Sequence, residues 1–152
     1  MLRCAERWKD LLLQAGCQKA EIMASQGNPF VYAEYVSPYV EQGVECPTVL
    51  VYSHYDVMPV EPLDLWHSNP WEPTIKNGRL YARGADDDKG QGMIQVKAFE
   101  YLVAEGLMKC NVKFIFEGEE EIGSPSLEAF ITDHRELLKS DIILVSDTSM
   151  IG

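Results

Sequence analysis

The chain has 152 residues, 46% of them hydrophobic, and sets 13 basic against 24 acidic side chains for a formal charge of −11. That length matches one ordinary domain with an ample core, and the acidity disfavours nucleic acid and anionic lipid while favouring bound cations or basic partners. The four cysteines are scattered with no Cys-x-x-Cys pair, no stretch has the apolar length of a membrane span, and the N-terminus lacks a basic region followed by an apolar one, so the expected setting is the cytoplasm.

In chain order, Ala5 to Ala15 places Trp8, Leu11, Leu12 and Ala15 at helical spacing, and Gly16 supplies a left-handed stop. Phe30 to Tyr35 and Thr48 to Tyr52 are rich in β-branched and aromatic residues and predict strands. Pro59 to Pro73 holds prolines and rings without a period, which predicts a surface loop. Ile75 to Tyr81, centred on Asn77-Gly78, predicts a hairpin. Gly90 to Gly106 predicts a helix whose buried face is Ile94, Ala98, Leu102 and in part Val103. Asn111 to Glu117 predicts a strand, and Ser124-Pro125 predicts a helix start, with Leu127, Phe130 and Ile131 as its apolar side. Asp141 to Ser146 closes the chain as a short buried strand. This alternation predicts an α/β layered domain with a largely parallel, buried sheet.

Acidic residues and histidines recur just after the apolar strands. Val49 to Tyr52 runs into Ser53-His54-Tyr55-Asp56, Phe114 to Phe116 into Glu117-Gly118-Glu119-Glu120-Glu121, and Ile143 to Val145 into Ser146-Asp147. Ligands of open α/β sheets bind beyond the carboxyl ends of strands, so the three termini are candidates to converge on one site. Taken singly, each acidic run is ordinary solvated loop charge and a lone histidine is a structural residue. Repeated at three strand ends they point to a mixed nitrogen and oxygen set, which suits Zn²⁺, Co²⁺ or Mn²⁺ better than Ca²⁺ or Mg²⁺. The His-x-Asp spacing lets Asp56 orient the His54 ring. His67, in an irregular loop, and His134, on a helix, are read as structural.

From about Asn28 to Gly152 the sequence resembles the metallopeptidase family 20 enzymes, which include carnosinase and peptidase V type dipeptidases, aminoacylase and succinyl-diaminopimelate desuccinylase. The resemblance is carried by Ser53-His54-Tyr55-Asp56-Val57, Trp71-Glu72-Pro73, Gly78-Arg79-Leu80-Tyr81-Ala82-Arg83-Gly84, Asp87-Asp88-Lys89-Gly90, Glu117 to Ser124 and Val145-Ser146-Asp147. It implies a zinc-exopeptidase-like three-layer α/β domain with a mostly parallel central sheet and helices on both faces, here incomplete. It also implies two divalent metal ions, Zn²⁺ with Mn²⁺ or Co²⁺ as alternatives. His54 and Asp147 would bind one ion, Glu121 the other, and Asp87 both. Asp56 would hold His54, and Glu120 would be the general base. A cis peptide is implied between Asp87 and Asp88. The implied reaction is hydrolysis of a small peptide amide by water held between metals about 3.5–4 Å apart.

Members of that family are longer. They carry a lid or dimerisation domain, through which full-length relatives form homodimers, and a last metal-binding histidine beyond it. The expectation is therefore that residues 1–152 are a partial catalytic domain, with little or no catalysis alone. Two other readings stand beside it. The first is an N-acyl amino acid deacylase, which Asp88 disfavours because the deacylase branch tends to carry Met there. The second is a non-catalytic acidic module that binds a cation or a partner, which would need neither His54 nor a free base.

Overall fold

The structure, a computed structural model, describes residues 1–149, so the last three positions of the family resemblance lie outside the described residues. Its frame is a five-stranded sheet. The elements are α1 (Leu2–Gln14), β1 (Lys19–Met23), β2 (Phe30–Tyr35), β3 (Thr48–His54), the hairpin β4 (Thr74–Lys76) and β5 (Arg79–Tyr81), α2 (Lys89–Ala104), β6 (Asn111–Glu117), α3 (Leu127–Asp133) and β7 (Ile142–Val145). The main sheet has the order β1-β2-β6-β3-β7. β2 is antiparallel to both β1 and β6, while β3 is parallel to β6 and to β7. Every strand but β2 therefore runs in one direction, and the sheet is mostly parallel.

Strand alternation divides the core into two layers. Val31, Ala33, Tyr35, Val51, Phe114 and Phe116 face α1 and α2, where they meet Ala5, Trp8, Leu12, Val96 and Phe99. Phe30, Tyr32, Leu50 and Ile115 face the other way, onto Phe130 of α3 and Leu138. Helices thus cover both faces. Aromatic edges knit the first layer: Phe99 meets Tyr35 and Phe114 at ring-centroid distances of 5.3 and 5.2 Å, and Trp8 meets Phe116 at 4.8 Å.

Several boundaries follow the sequence closely. Gly16 has φ +112 and its N–H reaches the Leu13 carbonyl at 3.1 Å, ending α1. The hairpin turns on Asn77 (φ +53) and Gly78 (φ +73), the two positive values a two-residue turn of this hand requires. Three expectations need correction, and one strand had not been predicted. β1 was not expected, because Lys19-Ala20-Glu21-Ile22-Met23 is a short edge strand without strong β character. The buried seam of α2 is Gly92, Val96 and Phe99, with Leu102 and Val103 partly buried against the core as expected, whereas Ile94 is 71% exposed and Ala98 is exposed too. Apolar residues lie on every side of this helix, and what decides the seam is the closeness that Gly92 allows: a Cβ there would sit 2.5 Å from Ser53 Oγ. Helix α3 starts at Leu127, later than Ser124-Pro125, because Ser124 takes a left-handed backbone (φ +50) and gives its hydroxyl to Glu117. Finally, β7, expected as a short buried strand, lies at an edge of the described sheet and its residues are all exposed.

Candidate metal centre

Because β6, β3 and β7 are adjacent and parallel, their carboxyl ends open on one side of the sheet, as the strand-end pattern predicts. His54 is the last residue of β3 and pairs in register with Glu117, the last of β6. Tyr52 pairs with Val145, which brings Asp147 to the same end. Asp87 arrives from the loop that starts α2, and the Asp87–Asp88 peptide is cis, as the resemblance implies.

His54 is the buried centre of the site, 1% exposed. Its Nε2 lies 2.9 Å from Asp87 Oδ1, 3.6 Å from Asp147 Oδ2 and 3.9 Å from Glu120 Oε2. Its Nδ1 lies 3.2 Å from Asp56 Oδ1. A neutral imidazole has one N–H and one lone pair. Whichever nitrogen holds the proton, the other lone pair faces a carboxylate, so the arrangement calls for a positive charge: an imidazolium, or a cation among the oxygens. His54, Asp87 and Asp147 each offer a ligand atom, all lying within 4.8 Å of one another. That donor set fits a divalent cation of the zinc class.

Asp56 does more than orient a ring. Besides His54, its carboxylate accepts the N–H of Glu120 at 3.2 Å and of Glu121 at 3.0 Å. It thereby fixes the single turn Glu120–Ile122 that carries both glutamates. Glu120 points toward His54, whereas the Glu121 carboxylate accepts the Met58 N–H at 3.0 Å and stands apart from the His54, Asp87 and Asp147 group. The other two histidines stay outside: His67 lies in the exposed loop, and His134 packs on Phe130 at 4.5 Å between centroids.

The electrostatics follow from this crowding. Burial pulls the His54 pKa down, but Asp56, Asp147, Asp88 and Asp87 together outweigh it and hold the value above that of a free histidine. Burial and the repulsion of Asp147, Glu121 and Asp56 raise Glu120, against the attraction of His54.

Two buried carboxyls support the site in roles that the sequence did not suggest. Asp88 Oδ2 accepts the Ser53 hydroxyl at 2.5 Å and the His54 N–H at 3.1 Å. Glu117 Oε1 accepts the hydroxyls of Tyr52 at 2.5 Å and Ser124 at 2.9 Å, tying the far end of the glutamate turn back to β3. Both have pKa values raised, chiefly by burial. For Glu117 the available signal was parity: it alternates in step with Ile115 and so points into a layer the strand pattern makes apolar.

A three-layer α/β domain with a histidine and carboxylate cluster at its parallel strand ends is the class these observations define. Residues 50–150 match the description of Peptidase family M20/M25/M40, and the chain belongs to that family. It is 32% identical over 156 residues to the probable di- and tripeptidase DUG2 of Saccharomyces cerevisiae, covering 98% of this chain and 18% of that protein. Among solved structures, it superposes on the M20 family metallo-carboxypeptidase Sso-CP2 of Sulfolobus solfataricus with a TM-score of 0.86 at 38% identity, covering 95% of this chain and 32% of that one. With human carnosine dipeptidase 1 the TM-score is 0.83 at 31% identity, over 98% of this chain and 33% of the other. The chain spans about a fifth of the length of the curated relatives it matches, 18 to 23%. Among the described residues no helix is long and apolar enough to cross a membrane.

Proposed function

We propose that these 152 residues are one part of the catalytic domain of a metal-dependent dipeptidase, and that they bring most of its metal ligands and its general base. The observation that carries the reading is the buried His54 ring with Asp87, Asp147 and Glu120 gathered about its Nε2. His54, Asp87 and Asp147 would hold one divalent ion, and Asp87 with Glu121 would serve a second, zinc being the first choice by donor set. Relatives bearing the names di- and tripeptidase and carnosine dipeptidase support a small peptide as substrate. The free thiols of Cys4, Cys17, Cys46 and Cys110 support a reducing, cytoplasmic setting.

A divalent cation, when bound, supplies Lewis acidity to the scissile carbonyl and eases deprotonation of water. The chain's own residues do the rest. Glu120, its pKa raised by burial and by the neighbouring carboxylates, takes a proton from the attacking water and delivers one to the leaving amine. Asp56 keeps the His54 ring and the Glu120 backbone in a fixed relation.

The test is metal binding by this chain followed by equilibrium dialysis with Zn²⁺ and Mn²⁺, for the wild type, His54→Ala and Asp87→Asn. The wild type should retain at least one ion per chain and each variant should lose it; retention indifferent to both substitutions would overturn the reading. For the base, this chain can replace its matching third of the Sulfolobus carboxypeptidase. In that chimera Glu120→Gln should keep metal and lose peptide hydrolysis, and unchanged turnover would remove Glu120 from the role.

A further inference from the structure

We infer that Asp88 is a positioning residue: by bolting the start of α2 to the end of β3 it sets the separation of His54 and Asp87, an inference that rests on reading those two as metal ligands. Asp88 occupies the N-cap position of α2, yet its side chain makes no capping hydrogen bond to the helix. The carboxylate turns instead to β3, where Oδ2 receives the Ser53 hydroxyl at 2.5 Å and the His54 backbone N–H at 3.1 Å. An ordinary helix-start aspartate would serve the free N–H groups of its own first turn; this one leaves them.

The placement is costly on its own terms. Asp88 is 1% exposed, and its Oδ1 is buried without a hydrogen-bond partner, a combination that destabilises a fold unless something else requires it. What it fixes is the relation between two short segments. One is the end of β3, whose His54 presents Nε2; the other is the loop into α2, whose Asp87 presents Oδ1 2.9 Å away. Asp88 is joined to Asp87 through the chain and to His54 through the backbone amide, so its hydrogen bond closes the loop between the two ligand-bearing residues. The helix is brought close enough for this by Gly92, whose N–H meets the Asp88 carbonyl at 2.8 Å and whose missing Cβ leaves room for Ser53.

The experiment is a Co²⁺ titration of the 152-residue chain, read by visible absorption, beside thermal melts of the metal-free proteins. The variants are Asp88→Ala, Asp88→Asn and Ser53→Ala, with His54→Ala as the site control. Loss of an outer partner of a metal ligand weakens binding about 10- to 100-fold. Asp88→Ala should fall in that range and change the cobalt spectrum. Asp88→Asn keeps an acceptor oxygen for the His54 N–H and should stay within about threefold of wild type. Ser53→Ala should lower the metal-free melting temperature while leaving affinity and spectrum unchanged. Should Asp88→Ala be poorly folded, the titration is run in enough trimethylamine N-oxide to restore its near-ultraviolet circular dichroism. Wild-type affinity and spectrum in Asp88→Ala, whatever its melting temperature, would overturn the inference. Equal losses in the Ala and Asn variants would overturn it too, since charge and not the hydrogen bond would then matter. If the wild type binds no cobalt, or His54→Ala binds it equally well, the ligand reading itself falls and removes the premise.

Discussion

Asp56 offers the sharpest test of how the site is held. Replacing it with alanine removes an acceptor used by three donors: His54 Nδ1 at 3.2 Å, Glu120 N–H at 3.2 Å and Glu121 N–H at 3.0 Å. Hydrogen bonds to a charged group are worth about 1.5–3 kcal/mol each, but the two amides belong to a partly exposed turn and recover some of that from water, so the summed loss should be about 3–4 kcal/mol. For a domain of this size each kcal/mol moves the melting temperature by roughly 2–4 °C, which gives a fall of about 6–16 °C. Asp56→Asn keeps one oxygen and should lose about half as much. Urea unfolding of the metal-free chain, followed by tryptophan fluorescence, measures both variants against wild type, with an unchanged slope showing that the denatured state is the same. An Asp56→Ala protein within about 1 kcal/mol of wild type would refute the reasoning. It would mean that repulsion from the surrounding carboxylates cancels what the three donors supply.

The pH dependence has a definite sign. His54 holds its folded pKa above the unfolded value, so its contribution to the metal-free fold is fully present below the unfolded pKa and is lost as pH rises through the folded one. The raised carboxyls of Asp88, Glu117 and Glu120 act in the same direction, since the folded state holds their protons longer. The urea midpoint without metal should therefore fall from about pH 5 to about pH 8, while metal affinity rises over the same range as His54 gives up its proton; a rising midpoint would contradict the signs. Phe99→Ala should cost about 3–5 kcal/mol in thermal or urea unfolding, and Ile94→Ala less than about 0.5, the reverse of what a seam through Ile94 requires. Gly90→Ala should fold poorly or not at all, because its Cβ would stand 2.0 Å from the Ala85 carbonyl oxygen, a backbone atom that cannot swing aside. Its loss should exceed the roughly 1–3 kcal/mol of ordinary overpacking, and a melt near wild type would show that the loop before α2 can yield.

The sequence made the fold class legible because strand and helix periods differ and the glycines and prolines punctuate them. Phe30–Tyr35 and Asn111–Glu117 emerge with the bounds that composition suggested. It failed where tertiary contact overrides local pattern. In α2 apolar side chains occur on all sides, so periodicity could not choose between the Ile94 stripe and the Phe99 seam; the glycine contact with Ser53 did. Ser124 looked like a helix cap because a serine before proline usually is one, and only the buried Glu117 carboxyl explains why its hydroxyl points elsewhere. The site was legible in residue type and strand-end placement. Its internal wiring was not, since nothing local in Asp88 or Asp56 says that each reaches a backbone amide of another segment.

The two edges of the sheet differ in a way that bears on how this chain behaves in solution. β1 presents Lys19 and Glu21, paired with each other at 2.8 Å, and such charge discourages a newcomer from zipping alongside. β7 presents Ile142-Ile143-Leu144-Val145, each residue 45 to 65% exposed, without a lysine, proline or bulge to blunt it. It is a gatekeeper-free template for intermolecular pairing, and in a concentrated sample clumping should nucleate there first. A single lysine at position 143 would act as a gatekeeper, raising solubility while leaving the His54 end of β3 untouched.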